Sequence, residues 1–258
     1  MKPRDRISTA IRSASNGRDP AIVGFLTAGH PRKETFRETL HSIAAGVDVV
    51  EIGVPFTDPM ADGVTIQRSS HTALAQGVSL RWILDELAAM PKVDAPVLLM
   101  SYLNPLLAYG LDKLPAAAAR ANVSGFIVPD LPFDESDELR AALDTEGLAL
   151  VQMVTPVTTP ERLAKVCAAS QGFIYAVTMT GTTGKNVAVP EDVLAYLDRV
   201  RAVASLPVCA GFGIRSREQV ERLSGHVDGV VVGSALVEVL ERGENPAAWL
   251  GTLRRSAR

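Results

Sequence analysis

The sequence predicts a (β/α)8 barrel, the TIM-barrel class of α/β fold, as a single domain over residues 1–258 with one extra helix at the amino terminus. Three observations lead there. Eight short apolar runs alternate with longer stretches of helical periodicity along the 258 residues. The runs are rich in Val, Ile, Leu and Phe without strict alternation, the pattern of parallel strands covered on both faces. The length suits one such barrel better than two ordinary domains. A doubly wound open sheet is the alternative this pattern leaves open.

In chain order, RDRISTAIRSAS from Arg4 reads as a helix placed to close the bottom of a barrel. The first four strands are AIVGFLTAG from Ala21, VDVVEIGVP from Val47, PVLLMSY from Pro96 and GFIVPD from Gly125. The last four are LALVQMVTP from Leu148, FIYAVT from Phe173, PVCAGFGI from Pro207 and GVVVGSAL from Gly229. Between them lie helical segments such as ETFRETLHSIAAG, SLRWILDELAAM and EDVLAYLDRVRAV. Several begin near Thr, Ser or Asp and end near Gly, as capped helices do.

Composition narrows the function. Hydrophobic residues make up 47% and charged residues 21%, an ordinary balance for a soluble globular chain. A net charge of −3 argues against nucleic acid as a partner, because proteins that track phosphates carry a basic surplus. Two cysteines, Cys167 and Cys209, are too few for a disulfide framework, and Cys209 in its apolar run reads as buried packing, so a cytoplasmic location is expected. No secretory h-region opens the chain, and no apolar run approaches the roughly 20 residues needed to cross a bilayer, so no membrane is expected.

Barrel enzymes do their chemistry at the carboxyl ends of the strands. Two connections there are longer and richer in Gly, Pro, Thr and Asp than a minimal turn: GVPFTDPMADGVTIQ after the second strand and TMTGTTGKNVAVP after the sixth. Glu51 sits among apolar residues in VDVVEIGVP, where an unpaired carboxylate is costly. Its pKa should rise, which suits acid–base work, although a structural ion pair inside the barrel reads the same way. Asp58 before Pro59 and Asp62 before Gly63 are turn formers. Asp62 is also placed to fold over the barrel mouth and share the work with Glu51, one group moving protons and the other fixing the substrate electrostatically.

GFGI from Gly211 and VGSA from Val232 end the last two strands, where barrels often bind phosphate at a helix amino terminus. Gly213, Gly233 and Ser234, with Gly184 from the sixth loop, would form that anion site; singly, each glycine reads as a tight turn. Phe25, Leu26, Met100, Tyr102, Leu131, Tyr175 and Phe212 fall near strand ends and together could line a flat apolar pocket, though singly most would be core. The lysines all lie outside the strands, which disfavours a Schiff-base aldolase. No metal ligands are expected: the four histidines are scattered, and His30, at the end of the first strand, reads as polar surface before it reads as a ligand.

The stretch EIGVPFTDPMADGVTIQ resembles the signature of the tryptophan synthase alpha subunit family. FLTAGHP, SYLNPLLAYG, VPDLPFDES, GTTG and GFGIRS match it in the same order along nearly the whole chain. The resemblance implies retro-aldol cleavage of 1-(indol-3-yl)glycerol 3-phosphate to indole and glyceraldehyde 3-phosphate, with no metal and no organic cofactor in this subunit. It makes Glu51 the acid–base group and Asp62 the partner of the indole N–H. Gly184, Gly213, Gly233 and Ser234 match its phosphate cradle, and Phe25, Tyr102, Tyr175 and Thr183 match positions around the indole. It also implies a PLP-dependent β subunit as partner, in an α2β2 heterotetramer, met by the loops after strands two and six. Three positions depart from the family pattern: TMTGTTG where Arg and Ala more often precede the glycine, Val64 where proline is usual, and Phe133. A stand-alone lyase of the same chemistry and a non-catalytic barrel that binds a phosphorylated ligand are the competing readings, separated by indole release from the isolated chain.

Overall fold

A computed structural model describes residues 1–15, 19–178, 189–211 and 213–254. Eight strands run through it: β1 (Ala21–Thr27), β2 (Val49–Gly53), β3 (Val97–Met100), β4 (Val123–Ile127), β5 (Ala149–Val154), β6 (Ile174–Val177), β7 (Val208–Gly211) and β8 (Gly229–Val232). Each pairs in parallel with the next, and β8 closes onto β1. The barrel is therefore closed, and the open-sheet alternative is set aside. The fourth strand begins at Val123, two residues before the expected Gly125. Its register against β3 shifts between Val97 and Leu98, which the run of apolar residues did not reveal.

Side chains alternate between the inside of the barrel and the helices around it, as strand geometry requires. Ala21, Val23, Val49, Leu98, Ile127 and Val151 are among those that point inward and pack together. Ile22, Leu26, Val50, Ile52, Leu99 and Leu150 point outward and belong to a second, larger core against the helices. Both faces are buried, so both are apolar, and period-two patterning fades from the sequence. Glu51 shares the inward parity of Val49 and so enters the barrel rather than the helical layer.

The expected first helix forms at Pro3–Ala14 and closes the amino-terminal end of the barrel. Ile7 and Ile11 are fully buried against Ala21, Val49, Ala149 and Phe173. Polar contacts seat the helix: Ser8 Oγ donates to the Gly172 carbonyl at 2.6 Å, and Arg12 Nη2 donates to the Ser205 carbonyl at 2.8 Å. Among the helices that follow, Ser79, Thr159, Ser216 and Asn245 cap their amino termini with side-chain oxygens. The helix Glu191–Val203 is instead preceded by Pro190, without a side-chain cap.

With the bottom sealed, the open volume lies at the carboxyl end of the strands. Truncating Ile11 to Ala should cost about 2–5 kcal/mol of folding stability, because the cavity left at the base has little means of collapsing. Val203→Ala, at a residue 46% exposed, should cost well under 1 kcal/mol, with both losses read by denaturant titration. Equal losses at the two sites would show that the first helix does not plug the core.

Candidate active site

A cavity of about 210 Å3 opens at the carboxyl end of the barrel. Its floor and walls are largely the uppermost inward positions of the strands: Phe25 from β1, Glu51 from β2, Met100 from β3, Met153 from β5, Tyr175 from β6 and Val231 from β8. Asp62 and Ile66 close one side, from the segment after β2. Gly213, Gly233 and Ser234 close the side after β7 and β8. The structure thus brings together Glu51, Asp62, Phe25, Tyr175 and three of the four expected anion-site residues. Gly184, Thr183 and Phe212 lie outside the described residues.

Two glycines make room for the aromatic walls. A Cβ on Gly53 would lie 2.5 Å from Phe25 Cζ, and one on Gly211 would lie 2.8 Å from the Tyr175 ring and hydroxyl. Both rings lean over a neighbouring strand, so those strands carry no side chain at the crossing. Met153, Val177 and Val231 went unnoticed in the sequence. The alternation itself marks them, since Met153 keeps the inward parity of Ala149 and Val151.

Glu51 is 1% exposed, and its Oε2 has no hydrogen-bond partner among the described residues. Burial pushes its pKa up to about 8, and the charge of Asp62 adds to the rise. Burial also raises Asp62, to about 6, while a hydrogen bond from the Tyr102 hydroxyl, at 3.1 Å to Oδ2, works in the other direction. Near pH 7, then, Glu51 is mostly protonated and Asp62 mostly ionised. Tyr175 is half-buried, and its burial together with the charges of Glu51 and Asp62 holds its phenol well above the usual range and keeps it neutral.

Tyr102 reaches the site through Asp62. It was expected around the pocket, but it is not among the residues that line the cavity and stands behind Asp62. Its hydroxyl donates to Asp62 and accepts the Ala61 N–H at 2.9 Å, and its ring stacks on Phe56 with centroids 5.0 Å apart. Gln67 Nε2 donates to the Asp62 carbonyl at 2.8 Å, so both ends of the residue are held. Leu26 and Leu131 follow the core reading rather than the pocket one, since both belong with the outer core. Asp58 makes local turn contacts, accepting Thr57 Oγ1 at 2.6 Å. His30, expected at the surface, is only 5% exposed and faces Glu241 at 3.4 Å.

On the opposite side, Gly213 adopts φ +71°, a left-handed conformation that favours glycine. Gly233 is the N-cap of the helix Ser234–Glu241. A turn of this kind beside a helix amino terminus presents main-chain N–H groups and the positive end of the helix dipole to an anion. The cavity therefore brings a buried carboxyl and a hydrogen-bonded one together with a glycine turn and a helix amino terminus within one largely apolar chamber.

The sequence pattern of the family described as tryptophan synthase alpha chain matches residues 11–255. The chain belongs to that family. The tryptophan synthase alpha chain of Desulfovibrio desulfuricans is 46% identical over 244 residues, covering 93% of this chain and 96% of its own length. That of Nitratidesulfovibrio vulgaris is 43% identical over 247 residues, covering 95% and 96%. Among solved structures, tryptophan synthase from Mycobacterium tuberculosis superposes with a TM-score of 0.88 at 36% identity, covering 96% of each chain. The alpha subunit from Legionella pneumophila superposes with a TM-score of 0.84 at 30% identity, covering 95% and 94%. As a member of the family, the protein is a carbon–carbon lyase that cleaves indole-3-glycerol phosphate.

Burial of Glu51 has a measurable cost that depends on pH. Between its ordinary pKa of 4.5 and its folded value of about 8, the unfolded chain ionises this group while the folded chain keeps the proton. The folded state binds more protons there, so stability falls as pH rises through that interval. Glu51→Gln should melt with the parent near pH 4.5 and be more stable near pH 8, by on the order of a few kcal/mol. Parallel pH profiles of melting would contradict the raised pKa.

Proposed function

We propose that the lyase reaction takes place in this cavity, with Glu51 acting as acid and then as base and Asp62 stabilising the charge that forms on the indole. The observation that carries the reading is the pairing, at a single barrel mouth, of a fully buried carboxyl whose Oε2 lacks a partner among the described residues with a second carboxyl held by the Tyr102 hydroxyl. The substrate phosphate lies on the main-chain N–H groups around Gly213 and Gly233 and on the Ser234 hydroxyl, with Gly184 adding to the cradle from the sixth loop. The indole ring lies against Phe25 and Tyr175, with Phe212 and Thr183 completing its surroundings.

The chemistry follows from the charges. Direct rupture of the bond between indole C3 and the glycerol carbon would expel a poorly stabilised carbanion. Glu51 first gives its proton to C3, which makes an indoleninium cation with its charge spread to the ring nitrogen. Asp62, ionised and aimed at that N–H, is already oriented by Tyr102 and needs no reorganisation as the charge appears. Glu51, now a carboxylate in an apolar chamber, takes the proton of the adjacent glycerol hydroxyl. The carbon–carbon bond breaks, its electron pair returns to the indole ring, and the hydroxyl carbon becomes the aldehyde of glyceraldehyde 3-phosphate. One proton enters and one leaves through the same carboxyl, which is restored.

The indole product passes to a β subunit that carries PLP, in an α2β2 heterotetramer, and this subunit needs no cofactor of its own. Met60 and Val64 support a partner at this mouth: they flank Asp62 and are 90% and 74% exposed, so apolar surface faces outward beside the site. The free, buried Cys167 and Cys209 are in keeping with a reducing, cytoplasmic setting. The whole chain acts as one catalytic domain.

Glu51→Gln should lower indole release from indole-3-glycerol phosphate by about 10^3-fold or more with the fold intact. Substantial residual turnover would remove Glu51 from its role. Asp62→Asn should lower turnover by roughly 10^2-fold, and near-normal turnover would count against it. In the parent protein, kcat/KM should be bell-shaped, falling below about pH 6 as Asp62 gains a proton and above about pH 8 as Glu51 loses one. A profile flat across that window would contradict the division of labour.

A further inference from the structure

Several polar contacts near the cavity take no part in this chemistry, and they converge on one carboxylate. Glu238 lies one helical turn after Ser234 on the helix Ser234–Glu241. Arg215 grips it with both prongs, Nη1 donating to Oε2 at 2.6 Å and Nη2 to Oε1 at 2.8 Å. Thr65 Oγ1 donates to the same Oε1 over 3.4 Å. Arg215 stands two residues after Gly213, and its main-chain N–H is held by Gln219 Oε1 at 2.8 Å. Thr65 stands three residues after Asp62, in the first turn of the helix Val64–Ala75. One turn further along both helices, Arg68 makes a second two-pronged pair with Glu241, at 3.0 and 2.7 Å.

The three segments that meet at Glu238 are the three that supply Asp62, Gly213, Gly233 and Ser234 to the cavity. The turn after β7 brings Gly213, the turn after β8 brings Gly233 and Ser234, and the segment after β2 brings Asp62. We propose that Glu238 is a positioning residue for the lyase reaction: through Arg215 and Thr65 it holds the Asp62 segment in register with the cradle that receives the substrate's phosphate. The proposal rests on the roles given above to that cradle and to Asp62.

The physical case is one of rigidity. A two-pronged guanidinium–carboxylate pair fixes orientation as well as distance, so the β7 turn and the helix Ser234–Glu241 move as one body. Arg215 also holds the Glu238 carboxyl below its ordinary range, so the link stays charged wherever the enzyme works. An anion seated at the start of the helix Ser234–Glu241 then sets the frame in which Thr65, and Asp62 just before it, are placed. Displacement of a reacting group by about 1 Å can cost about 10^2-fold in rate, so a weak bond at this joint can matter more to turnover than to folding.

The test uses the full chain, its Thr65→Val and Glu238→Gln variants, and the double variant, with indole release followed between about pH 5 and 9. Each single variant should lose about ten-fold in kcat with KM changed far less. The acid limb should move to higher pH as Asp62 slips from the Tyr102 hydroxyl. The double variant should be no worse than the poorer single one, since both break one link. Parental kcat and acid limb in both single variants, or losses that multiply in the double one, would overturn the proposal. If Glu238→Gln does not fold, Thr65→Val decides alone, by the same kcat and acid limb. Asp62→Asn is measured alongside: an acid limb unchanged there would overturn the role of Asp62 and this proposal together. The assigned behaviour there, with parental behaviour in Thr65→Val and Glu238→Gln, would overturn the positioning role only.

Discussion

A carboxyl group on the inner face of a closed barrel has apolar side chains where water would otherwise stand. Glu51 is in that position because it keeps the inward parity of Val49, and its neighbours in register are Phe25 on β1 and Leu98 on β3. With Oε2 unpartnered among the described residues, ionising it would leave a buried charge without compensation, so the proton stays. Much of the site follows from that constraint. A protonated Glu51 is a donor for a carbon base, and the same desolvation makes its conjugate carboxylate a strong base once the proton has left. Asp62, less buried and held by Tyr102, supplies the fixed negative charge that Glu51 does not carry at rest. Two chemically similar groups thus differ in how tightly they hold a proton because one sits in the barrel and the other on its rim.

The rest of the molecule serves to keep the chamber dry and in shape. The amino-terminal helix blocks the base with Ile7 and Ile11, so the site is reached from the carboxyl end. Gly53 and Gly211 yield space to Phe25 and Tyr175, and those rings form much of the apolar lining beside Glu51. Gly213 and the start of the helix Ser234–Glu241 close the far side. Joining these separate turns into one rigid rim falls to ion pairs between different elements, Arg215 with Glu238 and Arg68 with Glu241.

The barrel was legible in the sequence because eight apolar runs recur between helical stretches, and each run became a strand. Glu51 was legible because a lone carboxylate in such a run is conspicuous, and Asp62 and Gly213 because their turns sit at strand ends. Tyr102 was visible as an aromatic residue but not as the group that orients Asp62, since that depends on how the segment after β2 folds back over β3. The clearances at Gly53 and Gly211 were hidden because a glycine in a strand has many causes and its crossing ring lies on another strand. Glu238 was silent for a similar reason: Thr65, its partner across the rim, is 173 positions away in the chain, and no local pattern records a contact of that range. His30 misled because its place at a strand end suggests surface, whereas two helices cover it.

The proton held by Glu51 at neutral pH is the claim on which the site's chemistry depends. It is read most directly by difference infrared titration of the parent protein against Glu51→Gln, following the carboxylic C=O stretch of that one residue. The band should be present at pH 7 and fade with a midpoint of about 8. A band already lost near pH 5, with the carboxylate stretch in its place, would mean that Glu51 is ionised at rest, and the acid-then-base account would be wrong.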